Sequence, residues 1–280
     1  EVPTLKVKIY EVGPRDGLQA LPHFVNTATK IELINTLYNA GLTNIEETSF
    51  AHPRLVPQMA DAEDVFSGGA VLVMNKRGFE RAKSVGAKKI NIVFSPCEKF
   101  NERNLGKTRD ELFDEYSSFM SEVDKEDVRV YLSMAFGSPY SGAVSFDLMK
   151  ECLHDAKIFG NTVVFADTVG MGGTEEVAVF ANMALDMNMS PALHLHHTGD
   201  EERAVDLVYA GINHGIREFD SSIGGLGGCP FAEESGANLS TETLVRYLNG
   251  WGCYTGVHQD DLLPALRVVS DIRIKSAMAI

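Results

Sequence analysis

Short β-branched segments alternate with amphipathic helical segments along this chain of 280 residues. Apolar residues at a period of two predict strands, and apolar residues at a period of 3.6 predict helices. Strands are predicted at residues 7–12, 44–50, 70–75, 89–95, 128–135, 162–167, 192–196 and 217–223. Helices are predicted at 28–41, 54–67, 77–87, 108–125, 146–160, 174–187, 201–215 and 239–251, with one more near 260–276.

Eight strand–helix units in about 250 residues are typical of a (β/α)8 TIM barrel, which places the chain in the α/β class. The final helix is then an extra C-terminal helix. No linker or low-complexity segment interrupts residues 1–280, so we interpret them as one domain. A doubly wound open sheet is the alternative, because it is built from the same alternation.

The charge balance narrows the range of partners. Lys and Arg number 25 against 39 Asp and Glu, which gives a formal net charge of −14. Nucleic acid and anionic membranes attract basic surfaces, so we expect neither as a partner. The four cysteines form no CxxC pair, which favours a reducing compartment such as the cytoplasm.

His194 and His196 lie at the end of the seventh predicted strand, in the sequence LHLHH. Their spacing of two places both imidazoles on one face of the strand and His197 on the other. Catalytic sites of (β/α)8 barrels lie where the strands end, so the two imidazoles can bind one metal ion there. An HxH pair alone is weak evidence, because packed core histidines can have the same spacing.

Polar residues end other predicted strands at the same rim. Arg15 and Asp16 follow the first strand, Glu46 and Ser49 lie in the second, and Asp167 ends the sixth. Each one alone is equally consistent with a helix cap or a surface charge, but together they favour an assembled site. Asp16 can add a carboxylate oxygen to an ion that imidazoles bind.

The segment GGLGGCPFAEESGAN, residues 224–238, follows the eighth predicted strand. It does not match the GxGxxG fingerprint, so a dinucleotide-binding fold is a poor fit. A loop so rich in glycine can cover a substrate, and Cys229 lies in its middle. The thiol is a candidate acid or base, although a small residue in a turn is an equally simple interpretation.

Three motifs resemble the 3-hydroxy-3-methylglutaryl-CoA lyase family, in a superfamily of metal-dependent lyase and Claisen-synthase barrels. They are EVGPRDGLQ (11–19), HLHHTG (194–199) and GGLGGCPFAEESGAN (224–238). The resemblance extends over nearly the whole chain, through ETSF (47–50), VPQM (56–59) and TGVH (255–258).

The resemblance implies a function for several of these residues. A divalent cation, Mg²⁺ or Mn²⁺, would be bound by Asp16, His194, His196 and Asn238. The catalytic residues would be Arg15, Cys229, Asp167, His194 and Glu46. Among them, Arg15 would stabilise an enolate oxygen, Cys229 would transfer a proton, and Asp167 would orient or share protons near the substrate hydroxyl. Glu46 would support Arg15 or a metal ligand, and Gln19 and Ser49 would bind substrate.

The resemblance also implies a reaction. A 3-hydroxy-3-methylglutaryl-CoA-like acyl-CoA would be cleaved by retro-aldol chemistry to acetyl-CoA and a 3-oxo acid such as acetoacetate. The enzyme would act as a homodimer in leucine degradation and ketone body metabolism. It would be cytoplasmic, or located in the mitochondrial matrix if the source is a eukaryote.

The sequence departs from the family pattern at two places. Ala20 and Leu21 follow Gln19 where the lyases have Asn-Glu, and the segment 197–200 replaces Asp-Thr-Tyr-Gly. These changes leave the acyl group in question. A Claisen-type synthase, a lyase for a different 3-hydroxyacyl-CoA, a metal-dependent hydrolase and a non-catalytic barrel are the alternatives, and the cysteine loop favours a lyase.

Overall fold

The computed structural model describes residues 4–227 and 236–278. The strands of the described residues are β1 (Lys8–Glu11), β2 (Asn44–Ser49), β3 (Ala70–Leu72), β4 (Lys89–Phe94), β5 (Val128–Leu132), β6 (Gly137–Ser138), β7 (Gly142–Ala143), β8 (Thr162–Asp167), β9 (Ser190–His197), β10 (Glu218–Ser221) and β11 (Ala237–Asn238).

Eight parallel strands close into a barrel. They follow one another in the order β1, β2, β3, β4, β5, β8, β9 and β10, and β10 pairs with both β9 and β1. The strands β6 and β7 form a separate hairpin, and β11 pairs antiparallel with the end of β9. The predicted (β/α)8 TIM barrel is confirmed, and the open sheet is excluded because the ring is closed.

Helices surround the barrel. They are α1 (Thr27–Asn39), α2 (Ala62–Val65), α3 (Lys76–Ser84), α4 (Glu98–Leu105), α5 (Arg109–Ser117), α6 (Phe146–Phe159), α7 (Thr174–Asp186), α8 (Glu201–Asn213), α9 (Thr241–Gly250) and α10 (Leu263–Met278). The extra C-terminal helix is α10. In the described parts of the chain, no helix has both the length and the apolar character needed to span a bilayer.

Two of the predicted helices differ from the structure. The predicted helix 54–67 is wrong in its first half, where only a 3₁₀ turn forms at Pro57–Met59 before α2 begins. Pro57 has no amide hydrogen and cannot continue an α-helix that started before it. The predicted helix 108–125 is shorter, and α4 precedes it as a separate helix.

Polar side chains fix where many of the helices begin. The residue before the first helical turn accepts a hydrogen bond from a backbone N–H of that turn, at Asn26, Asn75, Thr108, Ser145 and Ser240. Such caps satisfy amide groups that have no partner inside the helix and contribute about 1 kcal/mol each.

The barrel strands bury both faces. On β8, Val163 and Phe165 point outward into the core shared with the helices, whereas Val164 points into the barrel interior. Phe165 packs against Phe180 of α7, with ring centroids 5.7 Å apart. The same alternation on the other strands determines which side chains face the barrel interior.

Candidate active site

Two histidines of β9 face the barrel interior. Ala192 belongs to the interior cluster, and Leu193 and Leu195 belong to the outer core, so His194 and His196 face inward by the period of two. Both imidazoles are buried, and their Nε2 atoms lie 3.0 Å apart. The sequence-based expectation that the two rings converge agrees with this geometry.

Asp16 is brought to the histidines by a tight turn after β1. The backbone N–H groups of Arg15, Asp16 and Gly17 all donate to the carbonyl oxygen of Val12, at 3.1, 2.7 and 3.2 Å. One Asp16 carboxylate oxygen then lies 3.8 Å from Nε2 of His194. Burial alone would raise the pKa of Asp16, but the neighbouring positive groups, Arg15 first, lower it to about 2. The carboxylate is therefore ionised at neutral pH.

Asn238 joins this group from β11. It lies opposite His196 in the β11–β9 register, and its Nδ2 donates to Asp16 Oδ2 at 2.8 Å. Gly227 packs against the same amide, because a Cβ at Gly227 would lie 2.6 Å from Asn238 Nδ2. Its φ of +101° is also a conformation that favours glycine.

These residues fit a divalent metal ion. The ligand atoms of Asp16, His194 and His196 all lie within 4.8 Å of one another, so one ion can reach all three. A carboxylate, two imidazoles and a nearby amide form a mixed oxygen and nitrogen set, which borderline or hard divalent cations accept. The two facing Nε2 atoms also need a proton or a cation between them.

Arg15 is a buried cation beside this group. Its Nε donates to Glu46 in a short contact, and its Nη1 donates to Asp16 at 2.8 Å. Asn91 donates to the other carboxylate oxygen of Glu46 and so holds that side chain. Burial opposes the charge of Arg15, but the two carboxylates raise the pKa of its guanidinium further above the usual value. Glu46 therefore supports Arg15.

Asp220 was not identified from the sequence as a site residue. It faces the interior from β10, in register with His194, and its Oδ2 lies 3.0 Å from His194 Nδ1. Burial lowers the pKa of His194, but the hydrogen bond and the charge of Asp220 raise it above the usual value overall. A charged residue inside a strand predicted to be buried was the available signal.

Glu11 is a second residue that the sequence did not reveal. It lies fully buried at the end of β1 and accepts hydrogen bonds from the N–H groups of Gly13 and Ile223, at 2.8 and 2.9 Å, and from the hydroxyl of Thr241. It thereby ties the turn that carries Arg15 to the segment that follows β10. Burial raises the pKa of Glu11 to about 7.

A cavity of about 520 Å³ opens onto the metal-binding group. Gln19 lines it and stays a predicted substrate-binding residue, and Ala20, one of the departures from the family pattern, lines it too. Apolar side chains also line it, from Leu72, Met74, Val93, Phe100 and Leu105. The basic residues Arg103 and Lys107 lie among them, so the cavity has a second positively charged part besides Arg15.

Asp167 and Ser49, which the resemblance places at the substrate, lie outside the lining of the cavity. Asp167 is in register with the outward-facing Leu195, and its carboxylate accepts the N–H groups of Met171 and Gly172 at 2.8 and 3.0 Å. It organises the loop after β8 and is not among the side chains that line the cavity. Its role near the substrate hydroxyl stays a prediction.

Ser49 is fully buried, and its Oγ accepts the N–H of Ala51 at 3.2 Å. It is not among the cavity-lining side chains either, and its contact with substrate stays a prediction. Of the remaining predicted positions, His197 is half-buried beside β11 and lies outside the cavity lining. Cys229 lies outside the described residues.

Comparisons with known proteins show which family the chain is similar to. The family model described as HMGL-like matches residues 6–269. The mitochondrial hydroxymethylglutaryl-CoA lyase of Mus musculus is 39% identical over 273 residues, covering 93% of this chain and 83% of the relative. The (R)-citramalyl-CoA lyase of Chloroflexus aurantiacus is 35% identical over 283 residues, covering 92% and 88%.

The fold is also similar to that of a solved relative. An HMG-CoA lyase from Acinetobacter baumannii, in complex with coenzyme A and 3-methylmalate, superposes with a TM-score of 0.88. It is 31% identical, and the match covers 94% of this chain and 90% of that one.

Proposed function

This chain belongs to the HMGL-like family, and on that premise we propose that it is a divalent-metal-dependent carbon–carbon lyase for a 3-hydroxy-3-methylglutaryl-CoA-like 3-hydroxyacyl-CoA. The products are acetyl-CoA and a 3-oxo acid, acetoacetate for the parent substrate. The observation that carries the proposal is the convergence of Asp16, His194 and His196 beside the buried cation of Arg15.

The reaction breaks the bond between C2 and C3 of the acyl group. The C3 hydroxyl loses its proton and becomes a ketone, and the electron pair of the broken bond passes to C2. C2 then belongs to the enolate of acetyl-CoA, which takes up one proton. Catalysis therefore needs an acidified hydroxyl, a fixed positive charge for the enolate oxygen and a proton donor at C2.

The metal-binding residues supply the first requirement. Asp16, His194 and His196, with Asn238 as a further ligand, would hold Mg²⁺ or Mn²⁺, which acidifies a hydroxyl bound to it. Asn238 lies within hydrogen-bond distance of Asp16, so its side-chain amide is already part of the group.

Arg15 supplies the second requirement. Glu46 and Asp16 occupy Nε and Nη1, which fixes the plane of the guanidinium. Among the described residues Nη2 donates no hydrogen bond, and the side chain lines the cavity, so Nη2 is available for the thioester oxygen. A pre-oriented donor stabilises the charge that develops there without reorganisation during the reaction.

Cys229 is the proposed proton donor at C2. It follows Gly227 by two residues, a span of at most about 7 Å. Gly227 itself packs against Asn238 and the backbone of Asp16, so the described chain before Cys229 ends beside the proposed metal ligands.

The first experiment is acetyl-CoA release from 3-hydroxy-3-methylglutaryl-CoA with Mg²⁺ or Mn²⁺ and with EDTA. We expect metal-dependent release that is lost in Cys229→Ala and retained in Cys253→Ala, a matched control at a half-buried position remote from the cavity. Absence of release with metal bound would contradict this substrate.

A different 3-hydroxyacyl-CoA is the second candidate. The citramalyl-CoA lyase relative and the departures at Ala20 and Leu21 favour testing it. The same assay with (R)-citramalyl-CoA would release acetyl-CoA and pyruvate. A condensation assay with acetyl-CoA and a 2-oxo acid tests the Claisen-synthase alternative.

Cellular context follows from the same proposal. A lyase that releases acetoacetate would serve leucine degradation or ketone body metabolism, in the cytoplasm or, in a eukaryote, in the mitochondrial matrix. The homodimer stays a prediction, which light scattering of the purified protein tests.

A further inference from the structure

A buried carboxylate lies directly behind one metal ligand. Asp220 Oδ2 is 3.0 Å from Nδ1 of His194, on the side of the ring opposite to Nε2. Nε2 faces His196 at 3.0 Å and Asp16 at 3.8 Å. The two nitrogens of this imidazole therefore have different environments, one facing a carboxylate and the other facing the metal-binding group.

Asp220 is itself held by two further side chains, one at each carboxylate oxygen. Arg129 Nη2 donates to Asp220 Oδ1 at 2.7 Å, and the hydroxyl of Tyr131 donates to Oδ2 at 2.8 Å. Arg129 also donates to the Tyr131 hydroxyl at 2.7 Å. Both carboxylate oxygens accept hydrogen bonds, and one of the donors is a guanidinium, which is always charged. Asp220 is therefore an ionised carboxylate fixed in one orientation.

An ionised carboxylate accepts hydrogen bonds and donates none, so His194 Nδ1 must carry a hydrogen. A neutral imidazole has only one N–H, which leaves the lone pair of Nε2 directed at the metal-binding group. We infer that Asp220 and Arg129 are positioning residues that select this tautomer of His194 and thereby set the metal affinity of the site. The inference rests on the metal site of the proposed function.

The hydrogen bond from Arg129 determines how the side-chain amide is oriented in Asp220→Asn. Arg129 still needs an acceptor, so the amide oxygen of the new side chain turns toward Arg129. The NH₂ group then faces His194 Nδ1, which can only accept from it. His194 shifts to the Nε2–H tautomer, and Nε2 can no longer bind a cation until that proton is removed.

The tautomer can be measured without metal or substrate. Two-bond ¹H–¹⁵N spectra of metal-free protein at about pH 9, well above the ordinary imidazole pKa of about 6.5, distinguish the two neutral forms. The His194 signals are assigned by their loss in His194→Gln. We expect Nδ1–H in the unmodified protein and in Asp186→Asn, an exposed control on α7, and Nε2–H in Asp220→Asn. An Nε2–H form in the unmodified protein would overturn the inference, and that measurement does not depend on the folding of Asp220→Asn.

Metal affinity is the second readout. Titration with Mn²⁺, followed by the electron paramagnetic resonance of the free ion, should give a Kd about 10–100-fold weaker in Asp220→Asn. The double variant Arg129→Met with Asp220→Asn frees the amide to turn its oxygen toward His194. It should recover both the tautomer and most of the affinity, which a general loss of structure would not do. Unchanged affinity in Asp220→Asn, or no recovery in the double variant, would refute the positioning role.

The positioning role of Asp220 and the proposed lyase reaction can fail independently of each other. If no acyl-CoA is cleaved while the tautomer and the Mn²⁺ affinity change as expected, the lyase proposal fails and the positioning role stands. If cleavage is metal-dependent but the tautomer is unaffected by Asp220→Asn, the lyase proposal stands and the positioning role fails.

Discussion

Replacing Arg15 with lysine isolates the role of its planar guanidinium. Arg15 donates to Glu46 through Nε and to Asp16 through Nη1, which leaves Nη2 for the substrate. Lysine keeps the positive charge but concentrates its three donors on one nitrogen. That nitrogen cannot reach both carboxylates and a thioester oxygen from the buried position of Arg15.

The expected magnitude follows from the lost donor. Removing one oriented donor from a developing oxyanion costs about 2.7–4 kcal/mol, or about 10²–10³-fold in kcat. KM should change by less than about threefold, because the lost interaction belongs mainly to the transition state. Losing one charge-assisted hydrogen bond to Glu46 or Asp16 should also lower the free energy of unfolding by about 1.5–3 kcal/mol.

The assay is steady-state release of acetyl-CoA at saturating Mn²⁺, with urea unfolding of the same samples. Arg217→Lys is the matched control, because Arg217 also donates to two acceptors but at the opposite end of the barrel. A kcat within about threefold of the unmodified enzyme would show that Arg15 acts as a simple charge. The same result would show that the separate donors Nε, Nη1 and Nη2 of Arg15 are not needed for catalysis.

Three further outcomes are expected. Asp16→Asn should weaken Mn²⁺ binding by at least about 100-fold by calorimetry, because the ionised carboxylate is replaced by a neutral amide; Asp186→Asn should not. Glu11→Gln should remove a pH dependence of stability: the pKa of Glu11 is raised by burial from 4.5 to about 7. The native protein therefore binds an extra proton between these values, and the free energy of unfolding falls by up to about 3 kcal/mol as pH rises through them. Urea unfolding from pH 4.5 to 8 should show this fall in the unmodified protein relative to the variant, and parallel curves would contradict it. Phe219 is a fully buried ring between the barrel and the helices, so Phe219→Ala should lower the free energy of unfolding in urea by about 3–5 kcal/mol. Ile274→Ala, at an exposed position of α10, should change it by less than about 0.5 kcal/mol.

The barrel could be predicted because its signal is repeated. Eight alternations of a buried strand and an amphipathic helix leave few architectures, and errors at single elements do not change the count. The helix α4 was missed because little of it is apolar. Its buried residues are Phe100 and Asn101, and Asn101 is fixed by hydrogen bonds to the backbone of Ser95. Contacts of that kind depend on tertiary structure and leave no periodic pattern.

The site could be predicted only in part. The sequence of a single strand shows which residues share a face, but not which face points into the barrel. His194 and His196 share a face whatever the register. Asp167 ends a neighbouring strand, but its inward or outward direction depends on how β8 aligns with β9. The register pairs Ala166 with His194, which turns Asp167 outward. Asp220 was missed for the converse reason, since only the β9–β10 register places it behind His194.

The barrel interior contains one further connection that the sequence does not reveal. The Arg129 guanidinium lies 3.5 Å from the centroid of the Tyr10 ring, and the Tyr10 hydroxyl hydrogen-bonds with Asn91. Asn91 in turn holds Glu46.

Arg129 therefore stands where two buried chains of contacts meet. One passes through Asp220 to His194, and the other passes through Tyr10 and Asn91 to Glu46, the carboxylate that orients Arg15. Buried polar groups are costly unless each is paired, and an apolar interior would be the simpler way to stabilise a barrel. A network in which each group fixes the next does something that apolar packing cannot do. It fixes the distance between the Arg15 guanidinium and the group formed by Asp16, His194 and His196, and in the proposed reaction both would contact the same small acyl group.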